Sequence, residues 1–208
     1  MKALLLDYGS GNLRSAQHAL ELAGFEVERS GDPGALRRAR AIVVPGQGHF
    51  RQVMRQFLDA GLGEPLLAAI SAQVPVLGIC VGLQLLLEGS EEAEGVSGLG
   101  VLPGRCRRFQ GPRVPQMQWN TLEPVGNSSL LEGVPCAAYA YFVHSYYVPI
   151  ETPIDDGAIS DYGETYWSLV SAGALHATQF HPEKSQAVGL QILRNFKKFA
   201  ASAQVGLH

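Results

Sequence analysis

Through Gly89, short apolar runs alternate with stretches of helical period. Lys2 to Tyr8, Ala41 to Val44 and Val76 to Ile79 predict buried strands, with a shorter strand over Phe25 to Arg29. Between the first two strands, Leu13, Ala16, Leu20 and Ala23 fall on one helical face, and Gly24 ends that helix. Asp32-Pro33 starts a weak helical turn. Phe50 to Ala60 predicts a helix with Phe50, Val53, Met54, Phe57 and Leu58 on its core side, and Glu64 to Ala72 predicts another. Strands without polar alternation, separated by helices, predict a parallel sheet covered on both faces. Ligands bind such sheets beyond the carboxyl ends of the strands, which puts three loops at one edge. They are Gly9 to Asn12, Pro45 to Gly48 and the turn at Cys80.

The rhythm changes after Gly89. Glu88 to Gly95 is an acidic connection, followed by short strands over Val101-Leu102, Gln116 to Leu122, Ala137 to Val143, Ala158 to Ser160, Tyr166 to Val170 and Ala174 to Gln179. They predict an antiparallel meander that extends the sheet. Ser185 to Ala200 closes the chain as a helix facing the core with Val188, Ile192, Phe196 and Phe199. No repeat or long linker divides the 208 residues, so one domain over 1–208 is expected.

Composition narrows the class. A net charge of −3 gives no reason to expect nucleic acid, and no apolar stretch approaches a membrane span. The opening Met1 to Asp7 meets an acid after four apolar residues, unlike a signal peptide. Three scattered cysteines argue against a disulfide framework and for a reducing cytoplasm. Those cysteines and the six histidines have no zinc spacing, so neither a metal nor a cofactor is expected.

The stretch Val76-Leu77-Gly78-Ile79-Cys80-Val81-Gly82-Leu83-Gln84 concentrates the candidate chemistry. A buried strand breaks at a glycine-flanked cysteine and turns helical through Leu83, Leu86 and Leu87. A strand-to-helix turn exposes its side chain as a nucleophile, and the opening amides of the helix favour thiolate. A small buried cysteine in an ordinary turn is the alternative. A thiolate needs an imidazole, and the imidazole an orienting carboxylate. His181 ends a strand, Pro182 excludes helix there, and Glu183 lies two residues on, on the same side of an extended chain. The competing reading has Glu183 capping the last helix and His181 merely packed.

The other candidates are weaker. His144 sits in the aromatic run Tyr139 to Tyr147, where packing accounts for most rings; His18 and His208 read as solvated, and His49 and His176 stay open. Cys106 and Cys136 lack a glycine-flanked turn and read as inert. Gly9-Ser10-Gly11-Asn12 is half of a dinucleotide loop and reads better as a tight turn. Pro45-Gly46-Gln47-Gly48 lets backbone amides turn outward, as an oxyanion site requires. Arginines 37, 38, 40, 105, 107, 108 and 113 read as a solvated face, with a partner surface as the second reading.

Taken together, Gly78 to Gln84, Pro45 to Gly48 and Phe180-His181-Pro182-Glu183 resemble the triad (class I) glutamine amidotransferases over nearly the whole chain. Asp7 to Leu13, Trp119-Asn120 and Tyr141 to Tyr146 add a narrower likeness to the glutaminase subunits of imidazole glycerol phosphate synthase, a histidine-biosynthesis enzyme. The resemblance implies an α/β flavodoxin-like, mostly parallel sheet with helices on both faces and an antiparallel extension. It makes Cys80 the nucleophile, His181 the base and Glu183 its orienter, with the amides of Gln47 and Val81 as the oxyanion hole. Gly46, Gln84, Glu92, His144, Ser145 and Tyr146 match positions that hold L-glutamine. The implied partner is a (βα)8-barrel cyclase that receives ammonia through a channel in a heterodimer, with Asn12, Trp119 and Tyr141 as interface candidates. Gln47 stands where the family commonly has an aliphatic residue, and Gln118 where it has glycine. The rivals are the glutaminase of pyridoxal phosphate synthase, a thiol-sensing module on the same fold, and a cysteine peptidase. The first typically has Gly-Gly-Glu-Ser-Thr where this chain has Gly46-Gln47-Gly48-His49-Phe50.

Overall fold

The computed structural model describes residues 1–111 and 113–205; His208 lies outside them. The first half alternates strand and helix: β1 (Lys2–Leu6), α1 (Leu13–Leu22), β2 (Glu26–Ser30), α2 (Pro33–Arg38), β3 (Ile42–Gly46), α3 (Phe50–Asp59), α4 (Gly63–Ser71), β4 (Val76–Cys80) and α5 (Val81–Gln84). Then come β5 (Gly89–Ser90), β6 (Arg105–Arg108), β7 (Gln116–Val125), β8 (Ala138–His144), β9 (Tyr146–Pro149), β10 (Asp156–Asp161), β11 (Thr165–Ala172), β12 (Leu175–Thr178) and α6 (Gln186–Val205).

The main path of the sheet runs β2-β1-β3-β4-β12-β11-β10-β7-β8. Pairing is parallel from β2 to β12 and antiparallel from β12 to β8. Successive strand residues point to opposite faces, and every residue of β3 and β4 is buried, so both faces are covered there. The meander is therefore antiparallel as expected, except that β12 returns parallel to β4. That return sets Thr178 beside Ile79, while Gly46 pairs with Cys80. Three strand ends thus meet at one edge of the sheet.

Several expectations needed correction. Leu58 is 50% exposed, because it lies at the margin of the arc made by Phe50, Val53, Met54 and Phe57. Val101-Leu102 forms no strand; β6 takes that place, its arginines exposed and Cys106 buried between them. The helix after Cys80 ends at Gln84, and the Leu86 and Leu87 amides then bond to the carbonyls of Leu83 and Gln84 in tight turns. Gln118 sits in the regular β7–β8 ladder opposite Phe142, with its side chain in solvent, so the ladder there is unbroken. The arginines at 37, 38, 40, 105, 107, 108 and 113 are exposed, as is His18.

Candidate active site

Cys80 joins β4 to α5 at φ 55° and ψ −109°, a backbone conformation that L side chains rarely adopt. Two glycines allow the turn to sit against its neighbour strand. A Cβ on Gly82 would lie 2.0 Å from the Val44 carbonyl oxygen, and one on Gly46 would lie 2.5 Å from the Gly82 nitrogen. The close approach leaves Cys80 buried yet lining a cavity of about 330 Å³, within the range of small-molecule sites. Because α5 is a single turn, a long-helix dipole does not act on the sulfur; nearby side chains do.

His181 is the first of these. Its side chain and that of Glu183 are 3% and 4% exposed, and Nδ1 lies 2.7 Å from Glu183 Oε1. The pairing runs through a 3₁₀ turn over Pro182–Lys184, not the extended stretch expected, and Glu183 does not cap α6. Around the ring, the His181 amide bonds to the Tyr141 carbonyl, and Ser185 Oγ bridges the His181 carbonyl and the Tyr141 amide. Nε2 is buried with no hydrogen-bond partner among the described residues, and His181 lines the same cavity as Cys80. Burial opposes the imidazolium, but the charge of a Cys80 thiolate and the hydrogen bond and charge of Glu183 outweigh it, raising the pKa to about 10.

The cavity also collects Gln47, Val81, Gln84, Glu92, His144, Ser145 and Tyr146. Gly46 stands beside it in the β3–β4 ladder. Glu92 Oε2 accepts the Phe50 amide at 2.6 Å, tying the start of α3 to the pocket. His144 donates Nδ1–H to the Tyr146 carbonyl at 2.8 Å, because a carbonyl only accepts. The expected oxyanion amide of Gln47 is engaged elsewhere: it donates to Ser10 Oγ at 3.3 Å, and that hydroxyl donates to the Gln47 carbonyl at 2.9 Å. Tyr8 also bonds to the Pro45 carbonyl from below. The glycine loop after β1 is thus a brace for the Pro45–Gly48 loop.

Two residues given no role in the site by the sequence reading matter here. Ser10 braces the loop, and Gln179, fully buried, reaches Cys80 Sγ with Nε2 at 3.7 Å. Neither carries a local signal, since both partners are distant in the chain. Cys106 is buried, which pushes its thiol up; Cys136 is exposed, and its hydrogen bond to Glu123 raises its thiol too. Neither is activated. Of the interface candidates, Asn12 caps α1 through Ser15 at 3.4 Å. Trp119 and Tyr141 are cross-strand neighbours with ring centroids 6.0 Å apart, and Met117 and Tyr139 beside them are 62% and 58% exposed. Together they form an exposed apolar strip on one face of the β7–β8 pair.

Two buried histidines set the acid stability. Burial pushes His144 and His176 down from 6.5 to about 4. As pH falls below 6.5 the unfolded chain takes up these protons first, so stability is lost between about 6.5 and about 4 and is level above. His181 has the opposite sign: its contribution is complete below 6.5 and lost as pH rises through about 10, so it does not mask the acid arm. Thermal melts should drop steeply through that acid window, and His176→Gln should flatten the slope; a flat wild-type profile would contradict this.

The family model for glutamine amidotransferase class-I matches residues 4–199, and the chain belongs to that family. A solved structure titled "Crystal structure of glutamine amidotransferase" shares the fold, with a TM-score of 0.73 at 19% identity over 95% of this chain and 98% of that one. Imidazole glycerol phosphate synthase subunit HisH of Deinococcus radiodurans is 57% identical, covering 97% of this chain and 95% of its own. The protein of the same name from Thermus thermophilus is 50% identical over 96% and 98%. Within the class, the chain therefore belongs with the HisH subunits of imidazole glycerol phosphate synthase. No helix among the described residues is long and apolar enough to cross a membrane, and no group of three metal-binding side chains occurs among them.

Proposed function

We propose that this chain, acting as one domain, hydrolyses L-glutamine to glutamate and ammonia through Cys80, and passes the ammonia to a (βα)8-barrel cyclase partner in a heterodimer. The observation that carries the reading is the Glu183-held His181 beside the strained Cys80, in a cavity that also holds Gln84, Glu92 and Tyr146. A thiol sensor would keep the elbow but has no use for the base and its orienter.

The Cys80 thiolate attacks the carboxamide carbon and forms a C–S bond. The amides of Gln47 and Val81 stabilise the resulting oxyanion, each donor lowering the barrier by roughly 3 to 4 kcal/mol. The His181 imidazolium protonates the departing nitrogen as the C–N bond breaks, releasing ammonia. His181 then takes a proton from water, which attacks the thioester; the C–S bond breaks and glutamate leaves. Ammonia must travel unprotonated, so its exit faces a partner, and the Trp119–Tyr141 patch is that face. Three free thiols suit a reducing cytoplasm. Neither a metal, a cofactor nor a nucleic acid enters the reaction.

The Ser10 brace supports a resting state in which the Gln47 amide is held away from the substrate. Binding of the partner's own substrate releases it. Glutamine hydrolysis measured with and without the cyclase and its nucleotide ligand tests this reading, and strong stimulation is expected. Ser10→Ala should raise the unstimulated rate roughly 2- to 10-fold, the worth of one hydrogen bond. Equal rates in the isolated chain and the full complex would overturn the reading.

A further inference from the structure

A chain of side-chain amides ends on the sulfur of Cys80, and its direction is fixed. The Tyr146 carbonyl can only accept, so the Gln84 amide atom 3.3 Å from it is Nε2. The same Nε2 lies 3.3 Å from the Gln179 amide, which must turn its Oε1 toward it. Gln179 is therefore left with Nε2 facing Cys80 Sγ, at 3.7 Å. His144 anchors the same carbonyl from the other side at 2.8 Å. Gln179 is fully buried and Gln84 is 3% exposed, so no water competes along the chain. An N–H donor aimed at sulfur favours the anion over the thiol, and a run of aligned donors strengthens the last bond. A residue that only filled space at position 179 would not need an amide.

We propose that Gln179 is a positioning residue that holds Cys80 in its thiolate form and ties the readiness of the sulfur to Gln84 in the glutamine pocket. The same chain commits both Nε2 hydrogens of Gln84 within the protein. Its Oε1 is then the atom left for substrate, and it takes an N–H group of glutamine, never the α-carboxylate. The consequence for turnover rests on the glutaminase reading of Cys80; the state of the sulfur does not.

The test uses the chain assembled with its synthase partner in a Cys136→Ser background, which removes the exposed thiol. Alkylation of Cys80 by iodoacetamide is followed against pH, alongside kcat and KM for glutamine and the melting temperature. In Gln179→Met the pH of half-maximal alkylation should rise by about one unit. The value of kcat should fall more than KM rises. Gln179→Glu accepts from Gln84 but sets a carboxylate against the sulfur, so its shift should be larger. Gln84→Met should give a smaller shift of the same sign with a raised KM, and it decides the matter if neither Gln179 variant folds. An alkylation curve that stays at wild type in these folded variants overturns the proposal, even if melting temperatures fall. Cys80→Ala separates the two claims: if it keeps glutamine hydrolysis, the glutaminase reading fails whatever the alkylation curves show.

Discussion

Cys80→Ala and His181→Ala should each lose glutamine turnover by on the order of 10⁴-fold or more, with the double variant no worse than the singles. The sulfur supplies the covalent route, and the ring supplies both proton transfers, so removing either removes the same pathway. Glu183→Gln should cost less, roughly 10²-fold. It keeps an oxygen for His181 Nδ1, now 2.7 Å from the carboxylate, but removes the charge that stabilises the imidazolium. None of these losses should come from unfolding. Cys80→Gly relieves the positive φ of 55° while abolishing activity. Initial-rate kinetics of the assembled synthase, paired with thermal melts, check the whole series. Retained turnover in Cys80→Ala would remove the mechanism.

Gly82→Ala should damage the fold and the active site together. The new carbon would lie 2.0 Å from the Val44 oxygen, against the backbone of Val44 and Pro45, with no flexible side chain to move aside. Relief means parting α5 from β3 by more than a bond length's slack, at a cost of about 3 kcal/mol. The same movement separates Cys80 from the Gly46 register that sets the oxyanion loop beside it. A melt shifted down by several degrees and a collapse of kcat are expected together. A variant with wild-type stability and turnover would show that the close approach has no function.

The parallel half of the sheet was readable because β1, β3 and β4 are nearly continuous apolar runs, which only a doubly covered sheet requires. The elbow and the His181–Glu183 pair were readable because each is local, spanning a few residues. Leu58 was misplaced because residues at the margin of a helical arc face solvent or core according to what packs nearby. β6 was missed because three arginines in four residues look like loop, while its pairing comes from β5 and β9. Ser10 and Gln179 were invisible for the same reason. Their partners lie 37 and 99 residues away, and only the fold brings them together. What the structure added to the site is therefore its wiring: a brace on the oxyanion loop and a directed amide chain behind the nucleophile.

Central to this account is a covalent glutamyl group on Cys80. The assembled synthase, turning over glutamine and quenched in acid, should yield a Cys80 peptide carrying one glutamyl thioester by mass spectrometry, with Cys106 and Cys136 unmodified. The adduct should vanish in Cys80→Ala, and in His181→Ala too, because that variant cannot protonate the departing nitrogen. Glutamine consumed at the full rate with Cys80 unmodified, and equally in Cys80→Ala, would contradict the account.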